Sequence, residues 1–256
     1  TIGQSLPNWG PVANEGRGRT VAMVNIGTDA DSRQVLEAHA DDLLCQATRA
    51  RYRSDPAPLL MSTVLHEAAH NLGPAHEYKV GGKVDDEVFG GPRAAMLEEL
   101  KAQTAAMWLA DWLAARGSIT PQQAADAHLA DLLWAMGHVA NGLVDAEGRP
   151  KPYSQLAAIQ LGALRQAGAL VWRAEQKAAN GRDVGCVDLD EAKLRPAIDQ
   201  LMTRVAGIKA RGDTADAEAM QTAWLGEGGD DVKLRKTIRE RWLRAPKASY
   251  VYAVDW

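Results

Sequence analysis

Apolar side chains recur at the three- and four-residue spacing of helices through most of this chain. The period predicts helices over residues 31–51, from Pro56 or Pro58 to Gly73-Pro74, over 93–109 and over 120–141, with mostly helical chain beyond. Start and stop residues agree with these bounds. Asp31 opens the first helix and a basic stretch closes it, as the helix dipole favours. Proline opens the second, Gly73-Pro74 ends it, and Pro92 after two glycines opens the third. Further breaks fall near Gly117, residues 141–152, residues 180–188, Gly212 and residues 226–229. Strand signals are fewer. Residues 1–19 are rich in Gly and Pro and read as extended coil, while 21–27 and 250–254 read as short strands. Residues 77–80 and 83–88 flank Gly81-Gly82 as the arms of a β-hairpin would. The expectation is a mainly α fold with minor β, with a short hairpin between the helices at 56–72 and 93–109.

Composition narrows the picture. A hydrophobic content of 46% over 256 residues is enough for a core, and the whole chain 1–256 is read as one domain, without repeats or low-complexity segments. The net charge of −4 and the lack of a Lys/Arg cluster disfavour nucleic acid as a partner. No apolar run reaches the length of a membrane span and no signal peptide is visible, so a soluble protein of the cytoplasm or periplasm is expected. Because the chain begins at Thr1, a preceding leader or domain is allowed for. Cys45 and Cys186 are too few for a disulfide framework; one bridge between them is allowed for, and buried thiols are the expectation.

The second helix carries His66-Glu67-Ala68-Ala69-His70, an HExxH motif. Residues four apart share a helix face, so both imidazoles can meet one metal ion, with Glu67 beside them as a general base for a water. Chance alone puts HExxH in roughly one chain in a hundred of this composition, where both histidines would be ordinary helix residues. The company of the motif argues otherwise. A catalytic zinc needs a third protein ligand and an open position, and the helix over 93–109 offers Glu98 and Glu99. Adjacent helical residues point about 100° apart, so one can ligate and the other cannot do the same. Periodicity leaves open which.

The run HEAAHNLGP followed by LEELKAQTAAMWL resembles the zinc core of the dipeptidyl peptidase III family. The match is closest to the branch with the shorter HExxH motif and an EExKAD helix, which includes the peptidase-like domain fused to Nudix hydrolases in plants. Ser5-Leu6-Pro7-Asn8, Val21-Ala22-Met23-Val24-Asn25, Asp188-Leu189-Asp190 and residues 208–213 add weaker matches, so the resemblance spans nearly the whole chain. It implies the helical zinc lobe of a gluzincin-type metallopeptidase. It further implies one Zn²⁺ held by His66, His70 and Glu99, with Glu98 as a neighbouring carboxylate. A short oligopeptide substrate, losing dipeptides from its N-terminus, and an N-terminal lobe of the same protein are implied as partners. Two departures stand out. Gln103 occupies the place of an acid that braces a zinc-bound His, and a Gln carbonyl accepts that bond more weakly. The family's later His has no counterpart in residues 153–165. These departures support a second expectation, a zinc-binding domain that binds peptides or regulates without turnover. An unrelated zincin-like endopeptidase has no further motif behind it.

Other residues carry less. Asn8 matches a family position near the peptide's N-terminal end and can bond a substrate backbone or ammonium group, or be a turn residue after Pro7. His76 can line the site or sit on a surface loop. His128 and His138 have no acid at ligand spacing and are read as structural. The tryptophans at 108, 112, 134, 172, 224 and 242 are read as packing residues. Arg235, Arg239, Arg241 and Arg244 form a stripe read as a solvated face, with one member able to meet a substrate carboxylate in a cleft.

Overall fold

The computed structural model describes residues 3–6, 10–15, 19–75, 77–226 and 228–245. The predicted strand at 250–254 lies outside them, as do Asn8 and His76. The chain opens with β1 (Gly3–Leu6), the short α1 (Pro11–Asn14) and β2 (Arg19–Ala22), and β1 pairs antiparallel with β2 in a register that sets Gly3 against Ala22. Residues 3–6 are therefore a strand rather than coil, because they have a partner to satisfy their backbone. The strand expected over 21–27 stops at Ala22 and gives way to α2 (Val24–Thr28).

Next come α3 (Ala30–Leu43) and α4 (Gln46–Arg51), where one continuous helix was expected. Leu44 and Cys45 are extended at the break. Both leave the helix to bond elsewhere: Cys45 N–H donates to Val187 O at 2.9 Å, and Ala179 N–H donates to Leu44 O at 2.9 Å. That contact brings Cys45 and Cys186 to a Cα separation of 5.0 Å in a disulfide. The expectation of two buried thiols is thereby corrected, and the alternative of one bridge holds, across a sequence separation of 141 residues.

The motif helix α5 (Pro56–Ala69) starts from Asp55, whose carboxylate accepts from Ala57 N–H at 2.8 Å. Between α5 and the following long helix the expected hairpin is absent. Gly81 and Gly82, at φ +58° and +84°, do form the turn, and Val80 and Lys83 bridge across it. The second arm is instead α6 (Asp85–Phe89). Three acidic residues fill its first turn, where the helix dipole rewards negative charge, and no strand lies alongside to pair with.

The remaining elements are α7 (Gly91–Ala115), α8 (Pro121–Ala140), α9 (Pro152–Gln166), β3 (Leu170–Lys177), β4 (Val184–Leu189), α10 (Glu191–Arg211), α11 (Thr214–Leu225) and α12 (Asp230–Arg244). In the antiparallel pair β3–β4, β3 replaces helix expected there, while β4 falls largely within the break expected at residues 180–188. Asn180-Gly181, a hairpin-turn dipeptide between the two segments, was the overlooked signal.

Helix α7 is the axle, packing against α5, α8, α9 and α10. Its sequence reads as amphipathic, yet from Ala94 to Ala110 buried residues occur on every side. Alanines let neighbours approach closely: Ala69 of α5 packs on Ala102 and Ala105. Most apolar residues of α7, α8, α9 and α10 join one core cluster. The arginine stripe of α12 is a clamp and not a solvated face. Buried Arg241 donates to the carbonyls of Asp42, Gly185 and Val184, Arg239 to Ala140 O, and Arg235 to Trp224 O and Gly226 O, while Arg244 pairs with Asp183. Among the described residues no helix is long and apolar enough to cross a membrane.

Candidate metal centre

Helix α5 turns His66, Glu67 and Ala69 inward together with Ser62. Helix α7 crosses it and presents Glu98, Glu99 and Gln103. The crossing gathers three donor atoms. His66 Nε2 lies 3.1 Å from His70 Nε2 and 3.2 Å from Glu99 Oε2, and His70 Nε2 lies 3.7 Å from that same oxygen. The expected trio is thus brought to one point, and among the described residues no other group of three His, Cys, Asp or Glu side chains converges this way.

The protons explain why a cation fits there. Each imidazole has its Nδ1 against an acceptor: His66 Nδ1 donates to Gln103 Oε1 at 2.8 Å, and His70 Nδ1 to Glu98 Oε1 at 2.7 Å. With Nδ1 protonated, neutral imidazole leaves Nε2 as a bare lone pair. Two such lone pairs and a carboxylate oxygen then face one another, and Glu99 Oε2 is buried without a hydrogen-bond donor. Three acceptors in mutual contact repel unless a positive charge sits among them. Ligands about 2.0–2.1 Å from a tetrahedral zinc are about 3.3 Å from each other, which matches the observed separations. The donor set therefore fits a zinc ion. The local field acts in the same direction: burial opposes charge on His66, but Glu99, then Glu67 and Gln103, outweigh it and raise its pKa. Burial likewise opposes ionisation of Glu99, and the two imidazoles overcome this and lower its pKa.

Behind the ligands the two histidines differ. On the His70 side, Glu98 is buried and ionised. Burial raises its pKa, but His70, Lys209 and Lys101 more than reverse this and hold it far below the usual carboxylate range. Lys101 pairs with it at 3.0 Å and Lys209 at 2.8 Å, and Lys209, which has no exposed surface, also pairs with Asp85 of α6. Lys101 Nζ donates to Leu72 O at 3.2 Å and His70 O at 3.4 Å as well, occupying carbonyls that the end of α5 leaves open. On the His66 side, Gln103 Nε2 donates to Asp131 Oδ1 of α8 at 3.0 Å, and Ser62 donates to that same oxygen. The missing acid is therefore one residue further out. Burial pushes Asp131 up to about 6, against the opposing pull of Ser62, His128, Gln103 and His66.

Glu67 lies beside the donors on a cavity of about 390 Å³, whose wall includes Leu59, Trp134, His138 and Tyr153. Gly3 of β1 is also there. A Cβ at Gly3 would stand 2.5 Å from Thr63 Cγ2 and 2.9 Å from Glu67 Oε1, so only glycine lets the strand lie on this face of α5. His128 does have an acid partner, Asp111 at 3.0 Å, supplied by α7. His138 packs at a tilt against Trp134 and Tyr153, with ring centroids 4.3 and 5.5 Å away, and burial lowers its pKa to about 4. Tyr153, second residue of α9, reaches the Glu99 carboxylate with its hydroxyl. Asp131, Tyr153, His138, Lys101 and Lys209 were not singled out in the sequence as site residues. Charged or polar residues at inward helical positions, such as Asp131 within Leu-Ala-Asp-Leu-Leu, were the available signal.

Comparison of the chain with sequence-family models and with curated protein sequences finds no match. Solved structures do match. The structure of dipeptidyl peptidase III from Caldithrix abyssi superposes with a TM-score of 0.78 at 19% identity, over 96% of this chain and 43% of that one. The dipeptidyl-peptidase III from Corallococcus sp. strain EGB gives 0.75 at 20% identity, over 96% of this chain and 42% of that one. The chain therefore spans less than half the length of these relatives, and over nearly all of its own length it has the fold of dipeptidyl peptidase III structures.

Proposed function

We propose that the chain is the metal-holding part of a zinc peptidase of the dipeptidyl peptidase III kind, acting on short oligopeptides. His66, His70 and Glu99 would hold the ion. The carrying observation is the meeting of two imidazole Nε2 atoms and a carboxylate oxygen at 3.1, 3.2 and 3.7 Å, with Glu67 on the adjoining cavity. Bound zinc supplies Lewis acidity and makes a water easier to deprotonate. Glu67 accepts the proton of the attacking water and returns it to the leaving amine. Gln103 and Glu98 hold the two imidazole rings with Nε2 forward. Gly3 and the cavity wall leave room for a peptide beside Glu67. Removal of dipeptides from the N-terminus, and an N-terminal lobe completing the cleft, are part of this reading; the limited share of the longer relatives covered by the chain supports the latter.

One observation favours a second reading, a zinc-binding module without turnover: an amide, Gln103, stands where an acid would brace His66 more strongly. Metal analysis and hydrolysis of a dipeptidyl-arylamide decide between the two. A stoichiometric zinc ion and a loss of about 10²- to 10⁴-fold in rate for Glu67→Gln are expected for the peptidase. A zinc-loaded wild type no faster than Glu67→Gln would instead leave the binding module.

A further inference from the structure

Hydrolysis of a peptide builds negative charge on the carbonyl oxygen, and a hydrogen-bond donor aimed at that oxygen is worth much in rate. Among the described residues lining the cavity, most polar hydrogens are already committed. Ser62 donates to Asp131, Thr63 to Leu59 O at 2.9 Å, and the Gln103 amide to Asp131 at 3.0 Å. Glu67 is an acceptor. Three side chains remain, Trp134, His138 and Tyr153. Trp134 and His138 pack on each other, with ring centroids 4.3 Å apart, and both pack on Tyr153. Tyr153 meets the ligand cluster: its ring centroid is 6.4 Å from that of His66, its hydroxyl reaches Glu99, and 40% of the residue is exposed.

The geometry points to Tyr153 as a catalytic residue that donates its phenolic hydrogen to the substrate carbonyl oxygen as that oxygen gains charge. This rests on the peptidase reading for its substrate. A phenol keeps its proton at neutral pH, so it serves as a donor and transfers nothing. Its position accounts for how a site with no histidine between residues 153 and 165 can still offer an electrophile: α9 begins there, and its second residue overhangs the ligand cluster. The bond to Glu99 keeps the hydroxyl beside the metal-binding point until substrate arrives, and Tyr153 lines the cavity that the substrate would enter. His138 and Trp134, packed on the ring, fix its tilt.

The test uses the full 256-residue chain loaded with zinc, a phosphinic pseudo-tripeptide whose tetrahedral anionic oxygens imitate the developing charge, and the dipeptidyl-arylamide. Tyr153→Phe should weaken phosphinate binding about 10²-fold and lower kcat by a similar factor with KM little changed. Its zinc affinity, measured by chelator competition, should stay within about threefold of wild type. Tyr153→His, which restores an N–H donor, should recover part of the loss. Unchanged phosphinate affinity in Tyr153→Phe overturns the assignment. So does a zinc affinity that drops as far as phosphinate affinity, since Tyr153 would then only position Glu99. If wild type turns over no arylamide while Tyr153→Phe still loses phosphinate affinity alone, the peptidase reading falls and the donor role of Tyr153 stands.

Discussion

His66 and His70 leave one helix four residues apart, and their Nδ1 hydrogens go to opposite kinds of partner. His70 donates to an ionised carboxylate, Glu98, locked between two buried lysines. His66 donates to a neutral amide, Gln103, which passes the contact to Asp131. The difference is one of compensation. Glu98 and Asp85 face Lys101 and Lys209, so charge on the His70 side is matched by charge. Asp131 has only Ser62 and Gln103 as donors to one oxygen, and its Oδ2 is buried with none. A carboxylate so placed holds its proton more readily. An anion facing an imidazole N–H makes the opposite nitrogen a better ligand than an amide does. His70 is accordingly the more strongly polarised ligand of the pair.

The largest disturbance should come from breaking the compensated side. Lys209→Met leaves Glu98 and Asp85 buried around an apolar side chain, and breaking buried pairs of this kind costs about 3–5 kcal/mol. Urea unfolding of the metal-free protein should register that loss, and chelator competition should show weaker zinc binding. An unchanged midpoint would mean that the network carries no net stability.

A smaller effect is expected on the amide side. Gln103→Leu removes the acceptor for His66 and frees its ring to rotate, and zinc affinity should fall by about 10- to 100-fold. If the amide matters as little to His66 as a solvent molecule would, the affinity will not move.

The smallest change tests the outer carboxylate. Asp131→Asn keeps an oxygen for Ser62 and Gln103, so zinc affinity should fall less than about tenfold. Its signature lies in pH. The folded-state pKa of Asp131 is raised to about 6 from 3.8, so its stabilising contribution is complete below the lower value and is lost as pH rises through the upper one. Unfolding free energies of wild type and Asp131→Asn, taken between pH 4 and 7, should differ by an amount that shifts against wild type as pH rises. His138, and His39 whose pKa burial also lowers to about 4, act in the reverse sense, with stability lost as pH falls from 6.5; they cancel in the difference. A flat difference would remove Asp131 as a buried, poorly solvated acid.

Short-range chemistry was legible along the chain. The caps, prolines and 3.6-residue period marked α5, α7, α8 and their breaks, and HExxH with Glu98-Glu99 marked the donors, because each depends on neighbours within a turn or two of helix. Adjacency in a helix could separate the directions of Glu98 and Glu99 without saying which faced the histidines; that needed the crossing of α5 on α7, which Ala69, Ala102 and Ala105 allow. The same limit explains the errors. Leu44 and Cys45 leave a helix-like run for partners far along the chain, Asp85 starts a helix whose charge is met by Lys209, and Arg241 turns from an apparent solvent face to buried carbonyls. Sequence determined which side chains a helix could bring to one face. Tertiary structure alone decided which protons those side chains share, since Gln103 with Asp131, Glu98 with Lys209 and Tyr153 with Glu99 join segments that only packing makes neighbours.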